Sequence, residues 1–163
     1  MVKQIVKLNL TIQNPAHYLE IPNKAEIRRW ILCALQNKVV NASITVRIVN
    51  AQESQILNRR YRKKNTPTNV LSFIYDEIDN QSSNELEGDL VICGEIVTKE
   101  AHEQNKSTTA HWAHLIIHGM LHLLGFDHES EKEAKSMESL EILLLAQLGF
   151  LNPYVQNLGE NHV

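Results

Sequence analysis

The chain has 163 residues, 43% of them hydrophobic, and a formal net charge of -3 at pH 7. This length and composition predict one compact domain over residues 1–163, and the acidic balance excludes a protein that coats nucleic acid with a uniformly basic surface. No apolar run approaches the roughly 20 residues that span a bilayer, and residues 1–4 lack a signal-peptide core. We therefore expect a cytoplasmic protein that has no membrane partner.

The first half of the chain predicts alternating strands and helices. Apolar residues alternate over residues 6–12 and again over 44–48, with the period of two that half-buried strands show. Between these strands Pro22 opens an amphipathic helix, and Asn50 begins a capping-box pattern for a short helix that ends near residue 61. The predicted order is therefore β-α-β-α.

A basic segment and two further strands follow. Pro67 ends the helix before it, because the residue preceding a proline disfavours helical backbone, so residues 59–69 form a basic loop. Residues 70–74 and 89–93 are β-rich and flank an acidic, polar segment, residues 76–87, which we predict to be an exposed loop. Since no helix separates these two strands, they most simply pair antiparallel, and the sheet is mixed.

The helices of the second half include one that is apolar in nearly every direction. After a helical segment at residues 95–104, a helix predicted at 110–124 should be the buried central helix. At about 100° per residue, one polar stripe of four histidines falls within an arc of roughly 80° on it. These histidines are His111, His114, His118 and His122. Ser130 caps a last amphipathic helix that ends at Gly149, and we expect residues 150–163 to form a disordered tail.

These elements together predict an α+β fold. We expect a single domain with a four-stranded mixed β-sheet, one antiparallel edge strand and about five packed helices, with the histidine helix in the middle. No internal repeat or linker indicates a second domain.

The strongest chemical signal is the spacing of His118, His122 and His128, at i, i+4 and i+10, with Gly125 at i+7. Residues four apart project from one helix face, and a glycine at the helix end can turn the chain so that the third imidazole returns to the first two. Three imidazoles with an open fourth position are the ligand set of catalytic zinc, although nickel would also bind. We predict one Zn²⁺ ion, with Ni²⁺ as the alternative.

The spacing resembles the metzincin peptidase pattern H-E-x-x-H-x-x-G-x-x-H in every position but one. The glutamate that acts as general base in those enzymes is replaced here by Gly119, which has no group to take a proton. A Met-turn is not evident either, because Met137 lies within a helical pattern. Metal-dependent hydrolysis remains, with another base or another substrate.

Three blocks of the sequence resemble the bacterial YbeY-type endoribonucleases. Residues 118–128 match the signature H-G-x-L-H-L-x-G-[YF]-D-H, residues 57–73 match L-N-x-x-Y-R…P-T-[DN]-V-L-S-F, and residues 88–93 match G-D-[IL]-V-I-[CS]. The resemblance implies a metal-dependent nuclease that acts on single-stranded RNA in 16S rRNA 3′-end maturation and ribosome quality control. It also implies the three histidines of the signature as zinc ligands and Arg62 as a residue needed for activity.

The resemblance and the chemistry of the side chains suggest further roles. Arg62 can hold a phosphodiester bidentately while negative charge builds. The four other cations of the basic segment are RNA contacts or solvated side chains. They are Arg59, Arg60, Lys63 and Lys64. His114 supports a metal-binding histidine from behind, carries a proton or is a hydrogen-bonded histidine of the core, and Asp127 orients an imidazole, caps the turn or serves as base.

Three functions follow from these alternatives. The first is a zinc endoribonuclease that acts on single-stranded RNA and the small ribosomal subunit, with no DNA substrate, and whose nucleophile is water or the RNA 2′-hydroxyl. The second is a metzincin-like zinc peptidase, which Gly119 disfavours. The third is a non-catalytic zinc-binding factor in ribosome assembly.

Overall fold

The computed structural model describes residues 6–36, 39, 41–75 and 85–155. Four strands and five helices lie in these ranges. They are β1 (Lys7–Gln13), α1 (Lys24–Leu35), β2 (Asn41–Val49), α2 (Ala51–Arg62), β3 (Val70–Ile74), β4 (Glu85–Cys93), α3 (Gly94–Glu103), α4 (Thr108–Leu123) and α5 (Glu131–Gln147). The predicted α+β class and the order of the elements are confirmed.

The sheet has the strand order β1-β2-β4-β3. β1 pairs parallel with β2 and β2 pairs parallel with β4, whereas β3 pairs antiparallel with β4 and forms an edge. The prediction of a mixed sheet with one antiparallel edge strand is therefore confirmed. The reason is the length of the connection, since only residues 75–84 join β3 to β4 and a parallel crossover needs a dozen residues or more.

β4 starts earlier than the sequence pattern predicted. It begins at Glu85, so the last three residues of the predicted loop 76–87 are strand, while residues 76–84 lie outside the described residues. Leu86 is buried and lies beside Ala42 of β2. The buried Leu86 alternates with exposed acidic neighbours, which is the period of two that strands show. The sequence-based prediction missed this period because the segment is acidic.

α4 is the central helix, as predicted. It contacts β3 and β4 on the sheet and the helices α1, α3 and α5. Ten of its sixteen residues are buried, including Trp112, Ile116 and Met120. A smaller apolar cluster around Val49 and Leu71 lies beneath α2 and α3. Among the described residues, no helix is both long and apolar enough to cross a membrane.

The first part of the expected disordered tail makes defined contacts. Phe150 donates its backbone N–H to the carbonyl of Leu145 at 2.8 Å, and its ring meets that of Trp30 edge to face at 6.0 Å between centroids. Tyr154 reaches α4 and α5 through its hydroxyl. The prediction was wrong for residues 150–155, because the tertiary contacts of two aromatic rings order a segment that has no internal periodicity. Residues 156–163 lie outside the described part of the chain.

Candidate metal centre

His118, His122 and His128 converge on one point at the end of α4. One ring nitrogen of each lies within 4.8 Å of the others, a grouping that could hold a metal ion. The Nε2 atoms of His118 and His122 are 3.1 Å apart, and the ring of His128 lies 5.0 Å from that of His122 between centroids. The predicted clustering of the three histidines is therefore present.

The opposite ring nitrogens of His118 and His122 are both engaged by acceptors. Nδ1 of His118 lies 2.5 Å from a carboxylate oxygen of Glu141, and Nδ1 of His122 lies 3.0 Å from the carbonyl oxygen of Phe126. Because a carboxylate and a carbonyl oxygen only accept hydrogen bonds, both Nδ1 atoms carry the proton. In neutral rings the two Nε2 lone pairs then face each other, an arrangement that calls for a cation between them.

The turn after α4 brings His128 back to the helix. Gly125 has a φ of 99°, a positive value that glycine adopts with little conformational strain. A Cβ atom at this position would contact nothing within 4 Å. The N–H of Gly125 donates to the carbonyl of His122, and the N–H of Phe126 donates to that of Leu121. Glycine is therefore required here by backbone conformation, as the sequence predicted, and not by crowding.

Gly119, by contrast, is required by packing. A Cβ at this position would lie 2.8 Å from a methyl group of Leu90 and 3.2 Å from the hydroxyl oxygen of Ser72. The Ser72 hydroxyl also donates to the Gly119 carbonyl at 2.9 Å. α4 thus rests directly on β3 and β4 at the position where a metzincin has its glutamate. A side chain at this position would point into the sheet, which physically explains the departure from the peptidase pattern.

The three histidines open onto a groove of about 750 Å³ between β3 and the turn after α4. Arg62, the last residue of α2, lines the same groove and is the one lysine or arginine among its described lining residues. Tyr61, Phe73 and Phe126 add aromatic surface to it. The groove therefore combines a cluster of imidazoles, one guanidinium and exposed parts of aromatic rings.

Buried polar side chains of α2 hold the segment around Arg62. The Asn58 amide donates to the carbonyl of Thr66 at 2.8 Å. The Ser54 hydroxyl donates to the carbonyl of Thr68 and accepts from its N–H. Lys63 ends α2 in the left-handed conformation, with a φ of 59°. These bonds fold residues 63–69 back onto α2 and leave Arg62 at the edge of the groove.

The chain is similar to a known protein family and to a solved structure. The chain matches the family model described as Endoribonuclease YbeY over residues 11–149, a span that contains Arg62 and all three clustered histidines. The chain belongs to the YbeY endoribonuclease family. Its fold is also similar to the solution structure of TM1509 from Thermotoga maritima, with a TM-score of 0.54 and 21% sequence identity over 86% of this chain and 91% of that chain. At this identity the similarity concerns the fold alone.

In this YbeY-family chain the four other cations of the basic segment do not line the groove. All four side chains are exposed. They are Arg59, Arg60, Lys63 and Lys64. Arg62 is exposed as well, so it differs from these four cations by lining the groove and not by burial.

The histidine stripe predicted on α4 divides into two groups. His118 and His122 line the groove, whereas His111 and His114 line only a second cavity of about 370 Å³, which His118 also borders. Nε2 of His111 lies 2.9 Å from Glu100 of α3. Burial lowers the pKa of His114, and its Nε2 lies 3.2 Å from the Tyr154 hydroxyl. His114 thus lies one layer behind the clustered histidines.

Asp127 contacts the third histidine of the cluster. Its Oδ1 accepts the backbone N–H of His128 at 2.7 Å and lies 3.7 Å from Nδ1 of the same residue. Asp127 also lines the groove and is the one carboxylate among its described lining residues. Asp127 therefore stabilises the turn through the N–H of His128, and its carboxylate also lines the groove.

Glu141 of α5 is a site residue that our sequence reasoning missed. It is fully buried, at 0% exposure, and contacts His118, His114 and Tyr154. Burial raises its pKa, but hydrogen bonds from these three side chains outweigh burial and lower the pKa to about 2. The sequence did contain a signal. Glu141 lies four residues after Met137 on the apolar face of α5, where a charged side chain needs a partner.

Proposed function

We propose that this chain is a zinc-dependent endoribonuclease that cleaves single-stranded RNA. One observation carries the proposal: three imidazoles converge on the groove that Arg62 also lines. Membership of the YbeY endoribonuclease family supports RNA as the substrate. We further propose that the enzyme acts in the cytoplasm on the 3′ end of 16S rRNA in the small ribosomal subunit and in ribosome quality control, and that DNA is not a substrate.

The donor set fits a zinc ion. His118 and His122 would bind through Nε2, since their Nδ1 atoms donate to Glu141 and Phe126, and His128 would supply the third nitrogen. Three imidazoles leave a position open for substrate or water, as in catalytic zinc sites. When bound, the ion supplies positive charge that polarises a phosphoryl oxygen and lowers the pKa of water. Ni²⁺ accepts the same ligands.

Arg62 is proposed to hold the scissile phosphodiester. Its guanidinium can donate two parallel hydrogen bonds to phosphate oxygens and stabilise the negative charge that develops there. The position of Arg62 on the groove supports this role. For the exposed cations Arg59, Arg60, Lys63 and Lys64, we propose weaker, less specific attraction of the RNA backbone.

The aromatic lining of the groove supports a specificity for single strands. Tyr61 meets Phe73 edge to face at 4.9 Å between ring centroids, and both rings line the groove together with Phe126. Such rings offer faces on which unpaired bases stack, whereas the bases of a duplex are already stacked on each other. Single-strand specificity is therefore proposed to arise from base stacking beside the phosphate site.

Asp127 and His114 have proposed supporting roles. Asp127 holds the backbone of His128 and is the groove carboxylate placed to accept a proton from the nucleophile, either water or the 2′-hydroxyl. His114 contacts Tyr154 rather than the groove, so we assign it to the layer behind the metal ligands. Product ends distinguish the nucleophiles, since internal attack by the 2′-hydroxyl leaves a 2′,3′-cyclic phosphate.

One assay tests the proposal. Purified protein is incubated with a single-stranded RNA and, separately, with an unfolded protein, each with and without a chelator. We expect RNA cleavage that stops on chelation and returns with Zn²⁺, and no proteolysis. His122→Ala and Arg62→Ala should both lose RNA cleavage, whereas Arg59→Ala, which alters an exposed cation outside the groove lining, should retain most of it.

The assay has two contradicting outcomes. Cleavage that survives both chelation and His122→Ala would show that the metal centre is not used. Zinc binding without cleavage of any single-stranded RNA would favour a non-catalytic ribosome-assembly factor instead. Mapping the 3′ end of 16S rRNA in cells that carry only the Arg62→Ala variant tests the cellular substrate, since an unprocessed end is expected.

A further inference from the structure

The carboxylate of Glu141 lies directly behind the metal-facing side of His118. Its Oε2 is 2.5 Å from Nδ1 of His118, on the side of the ring opposite to the Nε2 that faces His122. Glu141 belongs to α5 and His118 to α4, so the contact joins two helices that are connected through the turn carrying His128. The carboxylate therefore sets the orientation of one imidazole from outside the ligand cluster.

Burial of this carboxylate is costly without compensation. A charged group removed from water must be paired and hydrogen-bonded, and apolar residues of similar size often stabilise a fold equally well. Glu141 has 0% exposure and lies among the buried apolar residues Met137, Leu144 and Leu145 of α5. Stability alone therefore does not explain a charged group at this position. A metal-binding histidine does explain it, because the orientation and the tautomer of its ring must be fixed.

Tyr154 completes the surroundings of the carboxylate. Its hydroxyl donates to Oε1 of Glu141 and lies 3.2 Å from Nε2 of His114, whose ring it meets edge to face at 5.3 Å between centroids. One carboxylate oxygen thus faces His118, whereas the other faces Tyr154 and lies 3.5 Å from Nε2 of His114. The segment after α5 thereby reaches the metal centre through one hydroxyl group.

We propose that Glu141 and Tyr154 are positioning residues of the metal centre. Glu141 orients His118 and keeps the proton on its Nδ1, so that Nε2 faces the ion, and the Tyr154 hydroxyl holds the carboxylate in that orientation. The hydrogen bond also makes the ring a stronger ligand, as carboxylate–histidine pairs do in other metal sites. This inference rests on the proposed metal centre, and it assigns roles to two residues outside the signature.

The chain supplies matched controls for both residues. Glu100 is another carboxylate that bonds a histidine of α4, at 2.9 Å from Nε2 of His111, but His111 is not in the ligand cluster. Tyr18 is another tyrosine whose hydroxyl makes one short bond, 2.5 Å to Oγ1 of Thr98, away from the metal centre. Glu100→Gln and Tyr18→Phe therefore repeat the two chemical changes at uninvolved positions.

The experiment measures zinc binding to the full chain by competition with a chromophoric chelator. We expect Glu141→Gln to raise the Kd for Zn²⁺ about 10- to 100-fold and Tyr154→Phe to raise it less, below about tenfold. Both control variants should bind zinc as the wild type does. In NMR spectra of the zinc-loaded protein, the Nδ1 proton of His118 should move upfield and exchange faster with solvent in Glu141→Gln, since the bond to the carboxylate is lost.

The outcomes separate this inference from the proposed function. If the wild type fails to bind zinc, the metal centre itself is wrong and the inference falls with it. If the wild type binds zinc and both Glu141→Gln and Tyr154→Phe bind it equally tightly, only the positioning roles are wrong. Should Glu141→Gln fail to fold, Tyr154→Phe decides the matter, because it removes a single oxygen atom from a partly exposed side chain.

Discussion

Two histidines of α4 each pair with a carboxylate of another helix, and the pairs differ in which ring nitrogen meets the carboxylate. Near the start of α4, His111 uses Nε2 toward Glu100 and leaves its Nδ1 buried without a hydrogen-bond partner. Near the end, His118 uses Nδ1 toward Glu141 and presents Nε2 to His122. The same two residue types therefore link helices in the first pair, whereas in the second they also leave a lone pair available to a metal.

The largest expected effect comes from removing the imidazole of each pair. His118→Ala should abolish zinc binding and RNA cleavage, because it deletes a proposed ligand. His111→Ala should leave the zinc Kd unchanged and lower the free energy of unfolding by about 1–3 kcal/mol, because Glu100 loses its buried hydrogen-bond partner. Zinc competition and urea unfolding measure the two quantities, and equal zinc loss in both variants would remove the distinction between the pairs.

A second test concerns the guanidinium of Arg62, which lines the same groove as the histidine cluster. Arg62→Lys keeps the positive charge on the groove but loses the planar pair of donors, so kcat/KM for a short single-stranded RNA should fall about 10- to 100-fold. Zinc affinity should not change, since Arg62 is not in the ligand cluster. Lys63→Arg is the control, because it exchanges the same groups at an exposed position outside the groove lining. A fully active Arg62→Lys enzyme would show that charge alone suffices.

The two helix-ending glycines provide a third test. Gly125 and Gly149 have φ values of 99° and 89°, and a Cβ on either would meet nothing within 4 Å. Alanine at each position should therefore destabilise the fold by about 1 kcal/mol through backbone strain alone. Only Gly125→Ala should also weaken zinc binding, because its turn places His128. Equal zinc affinity of the two variants would mean that the turn adapts without moving the ligand.

The smallest expected effect is at Asp127. Asparagine keeps an oxygen that can accept the N–H of His128, so Asp127→Asn should change zinc affinity by no more than about threefold if the carboxylate serves the turn. A general base would behave differently, since the amide cannot take a proton at neutral pH. The rate of RNA cleavage by the zinc-loaded protein separates the two roles. A general base contributes about 10²- to 10⁴-fold to a rate, so a fall of this size in Asp127→Asn, with zinc still bound, would assign the base to Asp127.

Much of the fold was predictable because its signals are local. Strand periodicity, the caps at Asn50 and Ser130, and the proline after α2 each act within a few residues, and each element formed where they indicated. The exceptions were the start of β4 and residues 150–155. In both places an apolar side chain, the buried Leu86 or the half-buried Phe150, is ordered by a partner far away in sequence.

The candidate site shows the same division. The spacing of His118, His122 and His128 around Gly125 is a property of one helix and one turn, so the sequence alone determined that the three imidazoles can meet. It also determined that no peptidase base stands at Gly119. The family's signature residues added Arg62, which periodicity by itself would have left among five similar cations.

Only the tertiary structure decided which ring nitrogens face the cluster and what lies behind them. Glu141 is 23 residues from His118 in sequence, and Tyr154 is 40 residues from His114, so neither contact follows from helical spacing. In the sequence, Gly119 indicates only that the glutamate of the peptidase pattern is missing. The structure shows that α4 rests on the sheet at this residue. Local geometry brings the ligands together, whereas their orientation depends on packing between helices, which is a long-range property of the chain.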